Sequence, residues 1–259
     1  MLNSPNETAE TPLSPGFVKA ALAVERYLLP LGYAYLAYQR VGTALEHYRQ
    51  YQMLKGAGAA TAHPHLQSIA YAALTKDLLM FLLMVFTGVI LLFSRAPVVL
   101  PDKLKHVIVP MAMSCYFLLY GMVDRLPGLL RESLLSPNVQ VAAAVCGLIL
   151  SMVGYSIVIW ALCHLGRSFA ILVSVRKVVS SGPYNYVRHP IYLGYVIELC
   201  GLLLANCSIA MLLLGAGFVM FLVVRARMEE EKLCEADEGY RQYVQRTGFL
   251  LPRFLKPLP

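Results

Sequence analysis

The chain has 259 residues, is 58% hydrophobic and only 14% charged, and carries a formal charge of +7, with a mean hydropathy of +0.60. Soluble domains run nearer about 45–50% apolar and about 25% charged, so this composition, with its apolar residues gathered in long runs, excludes an ordinary soluble domain and points to an integral membrane protein. The positive charge fits loops beside membrane spans, and no Lys/Arg stripe with interleaved aromatics marks a nucleic-acid face.

Residues 1–15 are polar, rich in Pro, Ser and Asn, and read as disordered. They lack the basic start and apolar run of a secretory signal. Residues 17–38 are apolar but carry Lys19, Glu25, Arg26 and Pro30, which fits either a first span or an interfacial helix. Residues 39–76 read as a polar connection containing Arg40, Arg49, Lys55 and the pair His63 and His65, which has no third metal ligand nearby. Spans are predicted over Asp77–Phe93, over His106–Val123 behind Lys103 and Lys105, and, after a polar loop ending at Asn138, over Val139–Leu165. In the last of these Gly147, Ser151 and Gly154 offer small surfaces for close helix contact. His164 at its end reads as a helix-terminal histidine bonded to backbone. Six cysteines (Cys115, Cys146, Cys163, Cys200, Cys207 and Cys234) form no C-x-x-C pair and read as small core residues rather than a disulfide frame or zinc site. No metal site is expected.

Between this span and the next lies a different kind of sequence. Val178 to Gly194 packs Gly, Pro, Tyr, Arg and His into one short run. Gly182-Pro183 signals a turn, and Pro190 stands where a helix tolerates a missing N–H. Its tyrosines fit either a functional loop or the aromatic belt of a membrane interface. Ile191–Ala205 and Ile209–Val224 follow, broken by Asn206-Cys207-Ser208. Segments this short read as a tight helical hairpin, which returns the tail to the side of the loop. Loop and tail are both rich in Lys and Arg, so that side is expected to be cytoplasmic. The last helix continues through Arg225, Glu229, Glu230 and Lys232, with Arg225 and Glu229 on one face and able to pair. A second amphipathic segment, Gly239–Thr247, carries Tyr240 and Tyr243. Glu198 lies within the first arm of the hairpin, where a carboxylate is costly and so suggests a role.

The ordered set Gly182-Pro183-Tyr184-x-Tyr186-Val187-Arg188-His189-Pro190-Ile191-Tyr192-Leu193-Gly194, the hairpin, Arg225-x-x-x-Glu229-Glu230-x-x-Leu233 and Gly239-Tyr240-x-x-Tyr243 resembles the isoprenylcysteine carboxyl methyltransferase family over roughly residues 160–254. The resemblance implies S-adenosyl-L-methionine as cofactor. By position, Arg176, Lys177, Val178 and Val179, as a strand-like lead, with Tyr184, His189, Pro190, Ile191 and Tyr192, are implied to line it. Glu229 is implied to bind it from the tail helix, with Glu230 as the neighbour that takes this role if the register shifts by one. Arg225 matches the arginine assigned to substrate and catalysis, and Glu198 joins it as a candidate substrate residue. Two positions depart from the family: Phe169 falls near a cofactor-holding glutamine, and Arg176 replaces a histidine.

The expected fold is therefore an all-α integral membrane protein with five to six transmembrane helices and a C-terminal cytosolic cofactor-binding loop and helix. It divides into 1–15, the N-terminal membrane helices 16–138 of unassigned role, and a catalytic core 139–259. The expected function is S-adenosylmethionine-dependent methylation of a lipid-like or membrane-delivered acceptor, such as a prenylcysteine-type carboxylate. The alternatives are an NADPH-dependent reductase of the sterol type, which carries Asn-Tyr where Ile191-Tyr192 stands here, and a non-catalytic membrane protein of the same architecture.

Overall fold

A computed structural model of the chain describes residues 13–56, 64–116 and 127–253. Helix α1 (Pro15–Ala23) starts on a Ser14 cap and passes through one π-helical turn, Val24–Leu28, into α2 (Leu29–Gly56). Residues 39–56, expected as a polar connection, are thus helical: tertiary packing against the next helix overrides their composition. The expected disorder of 1–15 falls mostly outside the described residues, and the helix begins at Pro15. His63 lies outside them too.

The remaining helices are α3 (Pro64–Leu92), α4 (Lys105–Cys115), the short α5 (Gly128–Arg131), α6 (Pro137–Leu165), α7 (Pro190–Ala205), α8 (Ile209–Ala236) and α9 (Glu238–Arg246). Among the described residues there is no β-strand, only isolated bridges at Val99–Val175 and Val187–Gly248. The strand-like lead at 176–179 is an irregular, unpaired stretch, so that expectation is corrected.

Among the described residues three helices are long and apolar enough to cross a membrane: Ala70–Leu92, Val139–Ser168 and Ile209–Ala236. Of the five to six spans expected, these three reach crossing length, and Pro190–Ala205 is a shorter apolar helix. The predicted span 106–123 is helical as far as Cys115, and 117–126 lie outside the described residues. Large apolar side chains such as Leu82, Val89, Ile149, Val153, Leu213 and Met220 are exposed along these helices, as lipid contact requires. Cys146, Cys163 and Cys200 are exposed as well, so these three are not the core residues expected.

The tightest packing is between α6 and α7. A Cβ on Gly154 would lie 2.6 Å from the Gly194 carbonyl oxygen, and one on Gly201 would lie 2.6 Å from Ser151 Oγ. Gly147 and Gly154 on one helix therefore face Gly201 and Gly194 on the other, which lets the two backbones touch. The small residues of α6 were readable in advance; their glycine partners on α7 complete the seam. The hairpin is less tight than expected. Ser208 caps α8 by accepting from Met211 N–H at 3.4 Å, and near this tip Gly215 approaches Leu199 and Leu203. Towards the loop, α7 stays on α6 and its arms leave room between them. The core, with Leu91, Val158, Leu162, Ile171, Leu222 and Ala226 all buried, sits beneath the loop that joins α6 to α7.

Candidate functional site

Residues 166–189 fold over the ends of α3, α6 and α8. The loop is turned by two glycines of positive φ, Gly166 at 50° and Gly182 at 60°, where a side chain would be strained. His164 Nδ1–H donates to the Trp160 carbonyl oxygen at 3.0 Å, as expected of a helix-end histidine, and its ring packs on Gly182.

The loop is anchored by a residue 146 to 151 positions upstream that the sequence reading did not single out for this. Glu25, in the π-helical turn, is 1% exposed. It accepts from Ile171 N–H at 2.5 Å, Leu172 N–H at 3.0 Å and Arg176 Nη2 at 3.0 Å. Arg176 also donates to the Phe169 carbonyl oxygen. A π-turn here is in keeping with the frequent siting of such turns at functional positions. Arg176 thus lines the site with its charge committed to Glu25, and Phe169 serves through its backbone.

Beneath the loop a cavity of about 440 Å³ runs between α7 and α8, within the range of about 300–1,000 Å³ common for ligand sites. Its wall includes Arg176, Lys177, Val178, Val179 and Tyr184, then His189, Pro190, Ile191 and Tyr192, then Arg225 and Glu229. Glu198 lines it farther along α7, where it accepts from Tyr155 Oη at 3.0 Å. Every residue singled out from the sequence except Glu230 borders this one space. Glu230 instead clasps the loop to the tail helix, accepting from Arg188 Nε at 2.5 Å and meeting His189 Nε2 at 3.1 Å.

The centre of the site is Glu229. Its Oε1 accepts from Tyr192 Oη at 2.7 Å and from Arg225 Nε at 2.9 Å, as the i,i+4 spacing predicted for the arginine. Its Oε2 takes no protein donor among the described residues. Arg225 is 7% exposed; it donates to the Ala170 carbonyl oxygen at 3.2 Å, lies 3.8 Å from Met113 Sδ and 5.7 Å from the Tyr192 ring centre, a cation–π distance. His189 stacks on Tyr192 with centroids 5.2 Å apart and planes 10° apart. Tyr184 Oη is buried with no hydrogen-bond partner among the described residues. Burial, then the nearby Glu229 carboxylate, holds that hydroxyl far above the usual phenol range, so it remains a donor. Burial likewise raises Tyr240, and raises Tyr243 to about 12.

The tail completes the enclosure. Tyr243 Oη donates to the Tyr184 carbonyl oxygen at 2.6 Å. Arg188 N–H bonds the Gly248 carbonyl oxygen at 2.8 Å and His189 N–H that of Phe249 at 3.2 Å, while Phe249 meets the His189 ring edge-on at 5.0 Å. Lys232, also on the wall, is paired with Asp102 and lies 3.5 Å from His106 Nδ1. Burial pushes the Asp102 carboxyl up, but the Lys232 bond and charge outweigh it and hold the group at about 2.

The His-Pro turn and the acidic tail helix therefore meet around one cavity. Residues 147–235 match the isoprenylcysteine carboxyl methyltransferase (ICMT) family. The ICMT match begins in α6 and ends with α8, so α9, with Tyr240 and Tyr243, lies beyond it, in contrast to the span of resemblance read from the motifs. Glu25, Asp102 and Met113 lie before it. Two curated relatives from other organisms are each similar to part of the chain. The cobalt-zinc-cadmium resistance protein CzcN of Cupriavidus metallidurans is 32% identical over 111 residues, 41% of this chain and 49% of the relative. Methanethiol S-methyltransferase 1 of Bradyrhizobium diazoefficiens is 37% identical over 70 residues, 27% of this chain and 24% of the relative. The chain thus spans about half of the first relative and a quarter of the second.

Proposed function

We propose that this protein is an S-adenosyl-L-methionine-dependent membrane methyltransferase whose acceptor reaches the cavity from the bilayer. The observation that carries the reading is Glu229: Oε1 is fixed by Tyr192 and Arg225, while Oε2 is left for a ligand. Together with the unpartnered Tyr184 hydroxyl and the aromatic faces of Tyr192, Tyr240 and Tyr243, this wall fits a cationic ligand rich in donors and acceptors. When bound, the sulfonium of the cofactor supplies an electrophilic methyl group. Glu229, Tyr184 and the stretch Lys177–Val179 hold it, and the His189–Tyr192 stack closes one side.

Among the described residues Arg225 Nη1 faces the weak acceptor Met113 Sδ alone, so it is available to position an anionic acceptor. A thiolate or a prenylcysteine-type carboxylate needs no base, so alignment and exclusion of water are the tasks left to the chain. A thiol is named for the Bradyrhizobium relative, which favours a soft sulfur nucleophile beside the carboxylate. Glu198 and the apolar residues Met80, Leu83, Leu199 and Leu202 farther along the cavity take the body of the acceptor. The Lys/Arg content of the loop and tail puts the site on the cytoplasmic side in this reading.

Calorimetric titration of the purified protein in detergent tests it. S-adenosylmethionine should bind in the micromolar range, about −8 kcal/mol, with no heat from NADPH, and Glu229→Ala should weaken that binding at least tenfold. Binding of NADPH alone would establish the reductase alternative, and binding of neither the non-catalytic one. Methylation of short water-soluble acceptors as efficient as that of lipidated ones would remove delivery from the bilayer.

A further inference from the structure

On the far side of the same loop lies a second, shallower cavity of about 410 Å³. Its wall is drawn from three distant segments and carries Arg95, His164, Arg167, Lys177, Ser180 and Ser181, with no Asp or Glu. Among the described residues none of the three cations makes an ion pair. Arg167 spends Nε on the Phe93 carbonyl oxygen at 2.8 Å, which fixes the guanidinium while its terminal nitrogens take no acceptor among the described residues. His164 is held at Nδ1 by Trp160. The pocket is therefore a concave cluster of oriented cations and hydroxyls, unlike cations scattered along a helix end.

Its depth in the membrane is marked independently. It sits where α3 and α6, two of the three helices of crossing length, come to their ends. One turn inside that level on α6, Trp160, the single tryptophan of the chain, is 48% exposed, and Phe93, just past the end of α3, is 63% exposed. Exposed aromatics of this kind sit at the headgroup boundary, which puts the cations at the level of lipid phosphates. Two arginines suit the paired oxygens of a phosphodiester, and serine hydroxyls can serve the remaining oxygens.

We propose that this pocket is a binding site for the phosphate-bearing head of an anionic phospholipid. Lys177 borders this pocket and the central cavity alike, so a bound headgroup braces the loop from behind. Competition by free phosphate separates a lipid from a soluble anion.

The test is native mass spectrometry of the full chain released from micelles holding equal amounts of phosphatidylglycerol and phosphatidylcholine. Phosphatidylglycerol should be retained preferentially. Lys177→Gln should weaken its retention roughly fivefold, the effect of one juxtamembrane cation. Arg95→Gln, Arg167→Gln and Lys177→Gln together should abolish the preference. Lys177 is exposed and makes no bond among the described residues, so the single variant keeps the test decisive if the triple variant misfolds. A control with the same loss of charge elsewhere, Lys19→Gln, Arg49→Gln and Lys55→Gln, should retain the preference. Equal loss in that control would show a general electrostatic field and overturn the site. Displacement of the lipid by millimolar inorganic phosphate would assign the pocket to a soluble anion instead. Absence of any preference in the unaltered protein would overturn it outright.

Discussion

Glu25→Ala tests how the N-terminal helix controls the loop over the site. The substitution removes the carboxylate that Arg176 pairs with at 3.0 Å and that two backbone N–H groups share at 2.5 and 3.0 Å. Both side chains of the pair are almost wholly buried, at 4% and 2% exposure. Removing one member of such a pair costs about 3–5 kcal/mol, and each stranded amide about 1–3 kcal/mol more if it stays dry. The loop can relax into water, so the pair alone bounds the effect. Local opening of 169–176 should become easier by about 3 kcal/mol, on the order of a hundredfold. Hydrogen exchange at the Ile171 and Leu172 amides reads this directly. The double variant Glu25→Ala, Arg176→Met should recover part of the protection, because no lone charge remains although both amides still lack their acceptor, with a coupling of at least about 1 kcal/mol. Exchange at both amides within twofold of the unaltered protein would refute the anchoring role.

Gly154→Ala would bring a methyl group to 2.6 Å from the Gly194 carbonyl oxygen and 2.7 Å from the Glu198 nitrogen. Overpacking of this kind costs about 1–3 kcal/mol, so the melting temperature in detergent should fall, and an unchanged value would mean that the helices part freely. Tyr184→Phe removes a buried hydroxyl with no partner among the described residues; stability should hold or rise, while S-adenosylmethionine affinity should drop about threefold to tenfold, the value of one hydrogen bond. Equal affinity would take Tyr184 out of the ligand contacts. Asp102 has its folded value lowered from 3.8 to about 2, so its contribution is present above pH 4 and is lost as pH falls through 2. Melting curves of Asp102→Asn and the unaltered protein should therefore differ at pH 5 and converge towards pH 2; a constant gap would assign the difference to something other than titration.

The parts of this architecture that depend on local spacing could be read from the residues. Pro190 opens its helix, Arg225 and Glu229 pair four residues apart, and the Asn206–Ser208 break turns the chain back so that the His-Pro turn and the tail helix share a cavity. What escaped reading depends on contacts between distant segments. Nothing local in Glu25 names Arg176 as its partner, although a carboxylate in an apolar helix is itself a sign of a specific contact. The helical state of 39–56 comes from packing on α3 and not from its polar composition. The clasp of Glu230 with Arg188 and His189 separates two adjacent carboxylates into a cavity residue and a structural one, which spacing cannot do. The same holds for Thr247–Phe249, whose backbone clamps the His-Pro turn without any distinctive side chain.

Three supports of the central cavity, from Glu25, Asp102 and Met113, arise outside the segment that matches the ICMT family. A transplant of residues 147–235 into another host would thus carry Glu229, Arg225 and the loop but leave behind Tyr240, Tyr243 and the struts that keep the wall in register. The same division offers an engineering route: the helices before residue 147 can be redesigned while the matched segment is kept, provided the glutamate at position 25 travels with the arginine it restrains.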